Sequence, residues 1–393
     1  MSAGLVLALA ALVFWIGVLA LRGGFWRADQ RLRDAPAEPR DWPDVVCIIP
    51  ARNEAPTIGR TVASLTDQDY PGRVRVIVVD DNSDDGTGDA ARSKTKNPDN
   101  LTMVTGKPLG AGWSGKLWAV HQGLEVSETV DCQAPYVLLT DADITHDSES
   151  LRRLVAKAEE GGCDLVSLMV RLRSESLWEK LLIPAFIFFF QKLYPFPWVN
   201  DPTKPTAAAA GGCMLVRRTA LRRAGGIKAI RHHLIDDCAL AALLKKQGPI
   251  WLGLSDLIVS ERRYERLSEI WDMVARTAFE QLNHSVLALT GTVAAMLVAY
   301  VVPPMAALGV LGLDWPVMVA GWVTWWGLMG MAFFPTLRLY GQSPVWAVLL
   351  PFSAFLYTLM TVSSAVRYWQ GRGGAWKGRS YKAPGASEGA SEG

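Results

Sequence analysis

The chain has 393 residues, half of them apolar (50%), and a formal net charge of +2. That length accommodates one large domain or two smaller ones. The near-neutral charge gives no basic footprint for nucleic acid, and no nucleic-acid partner is expected. The five cysteines (Cys47, Cys132, Cys163, Cys213 and Cys238) are scattered, odd in number and without metal-ligand spacing, and read as reduced, buried residues of a cytoplasmic domain.

In chain order, Ala3 to Leu21 carries no charge and is long enough to cross a bilayer, so residues 1–22 read as an N-terminal anchor. A cleaved signal peptide is the alternative. It is disfavoured by the missing basic n-region, the long apolar stretch and the lack of a small-x-small site before polar sequence. Arg22, Arg27, Arg31, Arg33 and Arg40 follow the anchor and place the next domain in the cytoplasm under the positive-inside tendency.

Val45 to Ile49 reads as a buried strand ending at Pro50, with Ala51-Arg52-Asn53-Glu54 as a loop. Helical spacing runs from Ile58 to Leu65. Val74 to Val79 is a second strand, closed by the polar run Asp80 to Thr87. A helix from Ala90, a strand at Leu101 to Thr105 and a helix at Ser114 to Val126 lead to the apolar strand Tyr136 to Thr140. Strands alternating with helices predict an α/β domain with a mostly parallel sheet covered on both faces.

Beyond it, Ser148 to Glu160 reads as a helix and Asp164 to Leu168 as a strand. Leu181 to Tyr194 reads either as a core helix or as one lying in the membrane interface. Pro195 to Pro205 reads as a proline-rich loop, Gly211 to Val216 as a tight turn into a strand, and Asp236 to Leu244 as a helix. Ile250 to Leu254 is the last predicted strand. Leu267 to Leu282 is amphipathic, giving an interfacial segment at 266–284.

Val286 to Leu313, Pro316 to Phe334 and Val345 to Val366 are long and uncharged, so 286–366 is a membrane region of about three spans. Three spans would put the tail opposite the soluble domain. Yet Arg367, Arg372, Lys377, Arg379 and Lys382 prefer the cytoplasm. Pro303-Pro304 leaves Val286 to Leu313 open to a bent or re-entrant reading. Residues 384–393 read as a disordered tail.

Chemistry concentrates at predicted strand ends, where open α/β sheets bind ligands. Asp141 and Asp143 flank Ala142, and on an extended chain they would point to one side. Two carboxylates about 4 Å apart repel by roughly 4 kcal/mol at an effective dielectric near 20. They tolerate each other best around a divalent cation such as Mg2+, which completes its shell with water and substrate phosphates. The plainer reading is an Asp-rich turn with a helix cap.

Asp80 suits a ribose hydroxyl or a base N–H. Lys116 lies in a glycine-containing loop that could meet phosphate charge, though its spacing is not that of a phosphate loop. Asp236 and Asp237 supply either a general base or N-terminal helix charge. Arg262-Arg263 and Arg276 suit either diphosphate or anionic lipid. His232 and His233 are adjacent, are expected to face different ways, and read as structural or surface residues. No Gly-x-Gly-x-x-Gly follows the first strand, which argues against a nicotinamide site.

Taken together and in order, Ile48 to Glu54, Val78 to Thr87, Thr140 to Asp143, Gly211-Gly212 and Asp236-Asp237 resemble a family 2 glycosyltransferase of the GT-A fold over roughly residues 44–265. Gly115 to Ala119, Leu234 to Leu240 and Ala275 to Phe279, with the flanking spans, resemble the hopene-associated glycosyltransferases of hopanoid biosynthesis. The resemblance implies a membrane-bound inverting enzyme of the bacterial inner membrane, a nucleotide-sugar donor, a divalent cation (Mg2+ or Mn2+) and a lipid acceptor.

It also implies roles. Pro50, Ala51, Arg52, Glu54, Asp80, Lys116, Asp141 and Arg276 would bind the donor. Asp141 and Asp143 would hold the metal. Asp237 would be the base, with Asp236 replacing the family's usual Glu and leaving open which of the two acts. Arg276-Thr277-Ala278-Phe279 stands where processive members carry Gln-x-x-Arg-Trp, which counts against a polymer synthase. Transfer to a polyprenyl phosphate and a catalytically silent membrane scaffold are the alternatives.

Overall fold

The structure, a computed structural model, describes residues 2–32, 36–131, 133–372, 375–376 and 379–380. Arg33, Cys132, Lys377, Lys382 and the 384–393 tail therefore lie outside the described residues.

The soluble part is built on an eight-stranded sheet of order β3-β2-β1-β4-β7-β6-β8-β5. The strands are β1 (Val45–Ala51), β2 (Val74–Asp80), β3 (Leu101–Thr105), β4 (Tyr136–Thr140), β5 (Ile144–His146), β6 (Leu165–Arg171), β7 (Cys213–Arg217) and β8 (Ile250–Ser260). β3, β2, β1 and β4 run parallel, as do β6 and β8. β7 is inserted antiparallel between β4 and β6, and β5 pairs antiparallel with β8.

β1 shows why the sheet is covered on both faces. All seven of its residues are buried. Val46 and Ile48 enter one core, and Val45, Cys47 and Ile49 enter the other. That is the period-2 alternation of a strand with no solvent face.

Around the sheet lie α1 (Ala3–Leu21), α2 (Ile58–Thr66), α3 (Thr87–Ser93), α4 (Gly115–Val130), α5 (Ser150–Glu160), α6 (Leu177–Leu193), α7 (Phe196–Asn200), α8 (Arg218–Arg223), α9 (Asp236–Lys245) and α10 (Leu267–Ala275). Several expectations are corrected. The 195–205 stretch is not all loop, because Pro195 precedes α7, where proline is compatible with a first turn. β8 runs on to Ser260, well past Leu254, because β5 gives its second half a partner.

The open reading of 181–194 resolves as α6, whose buried face joins the sheet core to the membrane helices. α6 opens with a capping box between Ser176 and Glu179. Glu179 accepts N–H bonds from Glu175, Ser176 and Tyr264, which ties α6 to the loop after β8.

Ala3–Leu21, Val286–Ala307, Trp315–Leu339 and Pro344–Trp369 are long and apolar enough to cross a membrane, by length and composition. Val286–Ala307 is a continuous helix. A wider π-type turn at Leu297–Val301 absorbs Pro303-Pro304 without breaking it.

The contacts of these helices show where their ends lie relative to the sheet domain. α1 starts far from the sheet, where a Cβ on Gly4 would come 2.1 Å from the Leu311 carbonyl oxygen, and ends at Arg22, which donates to the Lys192 carbonyl. Val286–Ala307 leads away from α10 toward Leu311. Trp315–Leu339 returns: the Tyr340 ring meets the Arg171 guanidinium, and the Gln342 amide donates to the Ser174 carbonyl.

Pro344–Trp369 is bonded to the soluble domain's elements along its length. Near its start, Ser353 and Tyr357 donate to the Leu181 and Leu182 carbonyls. Near its end, Trp271 donates to Ser363, and Arg367 pairs with Asp272 at 2.8 Å. Its length and composition nevertheless match a span, as do those of the other two C-terminal helices. Arg367, the first of the basic residues, therefore lies beside α10 of the soluble domain.

A cysteine added after Arg372 is expected to react with a membrane-impermeant maleimide only from the side that also exposes the soluble domain. Labelling from the other side would contradict this path. Glu179→Ala is expected to lower folding stability by about 2–4 kcal/mol, since three N–H groups, the buried one of Tyr264 among them, lose a charged acceptor; thermal unfolding in detergent measures it.

Candidate active site

The strand ends at one rim form the site. Residue for residue, β1 aligns Ala51 with Asp80 of β2, and β4 lies beside β1. Asp141 follows β4 directly. Asp143 sits one residue before β5, and its carbonyl accepts the Glu261 N–H at the end of β8.

The two acids converge by a different geometry from the expected extended chain. The backbone turns at Ala142, which is buried and held by the Thr61 hydroxyl on its carbonyl. Below them, the Thr140 hydroxyl donates to the Gly212 carbonyl at 2.7 Å and lies 3.0 Å from the His146 ring. This fixes the Gly211-Gly212 turn against the end of β4.

Lys116 lies in the first turn of α4, which Ser114 caps through the Leu117 N–H. Its ammonium is 2.8 Å from Asp141 and 3.5 Å from Asp236. Burial pulls that ammonium down, but Asp141 and Asp236 outweigh it and hold the group protonated. Asp236 and Asp237 open α9. Asp237 accepts the Gly211 N–H at 2.9 Å on one oxygen and the Cys238 N–H at 2.7 Å on the other. A side chain on Gly211 would stand 3.3 Å from the Lys116 nitrogen and 3.4 Å from Asp237, so the turn needs glycine for that approach.

Two carboxyls are strongly perturbed. Burial, then Asp141 and Glu54, raise Asp143 from the ordinary 3.8 to about 6, with Arg262 acting the other way. Burial and Asp236 raise Asp237 to about 6 as well, against Lys116 and its two N–H donors. Perturbation of this kind in a cleft marks functional sites.

Among the described residues, no group of three or more His, Cys, Asp or Glu side chains is arranged to hold a metal ion. Asp141 and Asp143 nevertheless suit a hard divalent cation that takes only one or two carboxylates and completes its shell with phosphate oxygens.

These groups open into one cavity of about 1280 Å³. Pro50, Glu54, Lys116, Asp141, Asp143, Asp236, Asp237 and Arg276 all line it. Three other sequence candidates are not among its lining residues. Ala51 is fully buried within β1. Arg52 turns back onto Asp81, 3.5 Å away. Asp80 stands at the same rim but is occupied by the Ser83 N–H.

Arg262 faces the cavity, whereas Arg263 does not line it. His232 and His233 do not diverge as expected: their rings stack at 4.5 Å, and His233 reaches the cavity wall. Sequence reasoning missed Tyr194, which bonds to Gln281 and lines the cavity beside Cys238. Its position depends on α6 reaching α9, a contact no local pattern announces.

The sheet order, the acidic rim and the cavity define a GT-A-type α/β domain. Residues 46–225 match the family model described as glycosyl transferase family 2. The chain is 34% identical over 117 residues to a probable glycosyltransferase, YdaM, of Bacillus subtilis (strain 168), covering 30% of this chain and 26% of that protein. It is 27% identical over 232 residues to the 4,4'-diaponeurosporenoate glycosyltransferase of Staphylococcus aureus (strain USA300), covering 57% of this chain and 58% of that one. The matches thus span about a quarter of the first relative and a little over half of the second.

Among solved structures, the mannosyltransferase PcManGT from Pyrobaculum calidifontis, in complex with GDP-Man and Mn2+, is similar with a TM-score of 0.53 at 20% identity. The match covers 93% of this chain and 99% of that one. The likeness establishes the fold.

Asp143→Ala is expected to weaken Mn2+ binding in the presence of a nucleoside diphosphate at least about tenfold, while thermal unfolding of the metal-free protein stays the same or rises. Calorimetric titration of both proteins checks it. Unchanged affinity would remove Asp143 from the metal site.

Proposed function

We propose that this protein is a membrane-bound inverting glycosyltransferase. It moves a sugar from a nucleotide-sugar donor to a lipid acceptor, with the catalytic domain on the cytoplasmic side of a bacterial inner membrane. One observation carries the reading: the cavity that holds Asp141, Asp143, Lys116 and Asp237 is also lined by Phe14, Val18, Phe189, Val293 and Met296. Acidic donor chemistry and apolar membrane-facing helices thus share one space, as transfer to a lipid requires. The complex of PcManGT with GDP-Man and Mn2+ and the naming of the Staphylococcus relative for 4,4'-diaponeurosporenoate support a nucleotide-sugar donor, a divalent cation and a non-polymer acceptor. The resemblance noted around Gly115 to Ala119 and Leu234 to Leu240 directs the acceptor toward hopanoids.

In this reading Asp141 and Asp143 hold Mg2+ or Mn2+, which when bound supplies positive charge against the donor diphosphate. Lys116 leaves Asp141 to meet the diphosphate oxygens, and Arg262 and Arg276 add charge at the cavity wall. Asp80, at the neighbouring strand end, borders the nucleoside. Asp237 is the base rather than Asp236, because both of its oxygens are oriented by backbone N–H groups while Asp236 is engaged by Lys116. Asp237 takes the proton of the acceptor hydroxyl. That oxygen bonds the anomeric carbon as the bond to the diphosphate breaks on the opposite face.

A base at about 6 must be ionised to act. Transfer to a hydroxyl acceptor is therefore expected to fall by about tenfold per pH unit below pH 6. Lys116→Met is expected to move that limb upward, since Lys116 lowers the Asp237 value. Asp237→Asn is expected to reduce kcat by about 10²- to 10⁴-fold with a hydroxyl acceptor. Near-wild-type activity in that variant would point to a phosphate acceptor, which needs no base. Comparing lipid extracts from cells with and without the protein names the sugar and the acceptor.

A further inference from the structure

Lys192 is an ionisable group that the proposed reaction leaves unused. It lies in the last turn of α6, and its side chain lines the same cavity, away from the acidic rim. The residue is half-buried, and its ammonium donates to the Tyr300 hydroxyl at 2.8 Å. It also lies 5.2 Å from the centre of the Phe189 ring and 4.7 Å from that of Tyr300. All of these partners are neutral, and among the described residues no carboxylate stands within ion-pair distance. The neighbouring cation makes matters worse: Arg22, also on the cavity wall, spends its guanidinium on the Lys192 and Leu193 carbonyls.

A buried ammonium without a counter-charge is costly and is normally paired. In an apolar setting at membrane depth it marks a ligand or ion site. The surrounding surface belongs to Phe186, Phe189, Val293 and Met296, which suit a hydrocarbon chain.

The geometry points to an anion subsite at Lys192, with Arg22 adding positive charge beside it, that takes the single phosphate or carboxylate of an amphiphile whose chain lies among those apolar residues. The proposal rests on the lipid-acceptor reading only for the occupant's being a substrate. An acidic acceptor and an anionic bilayer lipid offer the same chemistry. The Lys192–Tyr300 bond orients the ammonium, and the arriving anion supplies the absent counter-charge.

The test uses the full chain in a neutral maltoside detergent, with dodecyl phosphate and dodecanol as probes followed by calorimetry. The wild type is expected to bind dodecyl phosphate about tenfold more tightly than dodecanol, as one buried charged hydrogen bond provides. Lys192→Met is expected to bring the two probes to parity, and Lys192→Arg to retain the preference. Melting of unliganded Lys192→Met is expected to be no lower than wild type, because a desolvated charge has been removed. Parity in the wild type, or a preference that survives in Lys192→Met, would overturn the subsite.

Phosphatidylglycerol added to the micelles separates the two sources. Displacement of dodecyl phosphate by it, and not by phosphatidylcholine, identifies a bilayer lipid, whereas binding that persists identifies an acidic acceptor. Nucleotide-sugar binding with Mn2+, measured on the same samples, keeps the two readings apart. Its absence in the wild type would sink the transferase reading and leave the anion preference standing.

Discussion

Negative charge crowded at one rim of the sheet, and held in check by the Lys116 ammonium, is the interaction on which the rest of the site depends. Asp141, Asp143, Asp236 and Asp237 come from two distant parts of the chain, and Lys116 is paired with one acid from each. Each like-charge contact at about 4 Å costs roughly 4 kcal/mol at an effective dielectric near 20. Folding tolerates the crowd because α9 presents its N-terminus to Asp237 and because α4 delivers an ammonium between the two groups. Asp143 receives no equivalent partner and is the acid that burial and its neighbours raise. Charge left uncompensated inside a cleft is the local condition that favours a bound cation.

The sheet topology turns that cluster into a cleft open to the membrane. Inserting β7 antiparallel between β4 and β6 brings Gly211 beside Lys116 and Asp237. α6 packs its apolar face into the same core as the sheet and the long apolar helices, Pro344–Trp369 included. A cavity bounded by acids at one end and phenylalanines at the other is thus a consequence of strand order, not of any one loop.

Much of this was legible in the chain itself. The strands from Val45 to Thr140 announce themselves as unbroken apolar runs, and polar clusters mark their carboxyl ends. β5 is only three residues long and exists because β8 is there to pair with it, so no local signal foretells it. The same pairing sets the turn at Ala142, and with it the true reason that Asp141 and Asp143 meet. The resemblance implies a donor role for Arg52; its contact with Asp81, across 29 positions, is one the local sequence does not announce. The path of the last helix was equally hidden. Its composition is that of a span, and its bonds to α6 and α10 come from distant parts of the chain.

The central claim is that the acids at the strand ends share one cation and that Lys116 moves from Asp141 to the donor. The most direct measurement is an experimental structure with Mn2+ and a nucleoside diphosphate, recorded at the manganese absorption edge. The account predicts an anomalous peak bridging Asp141, Asp143 and the phosphates, with the Lys116 nitrogen on a phosphate oxygen. A peak elsewhere on the surface, or a diphosphate bound with Lys116 still held by Asp141 and no metal at the turn, would contradict it.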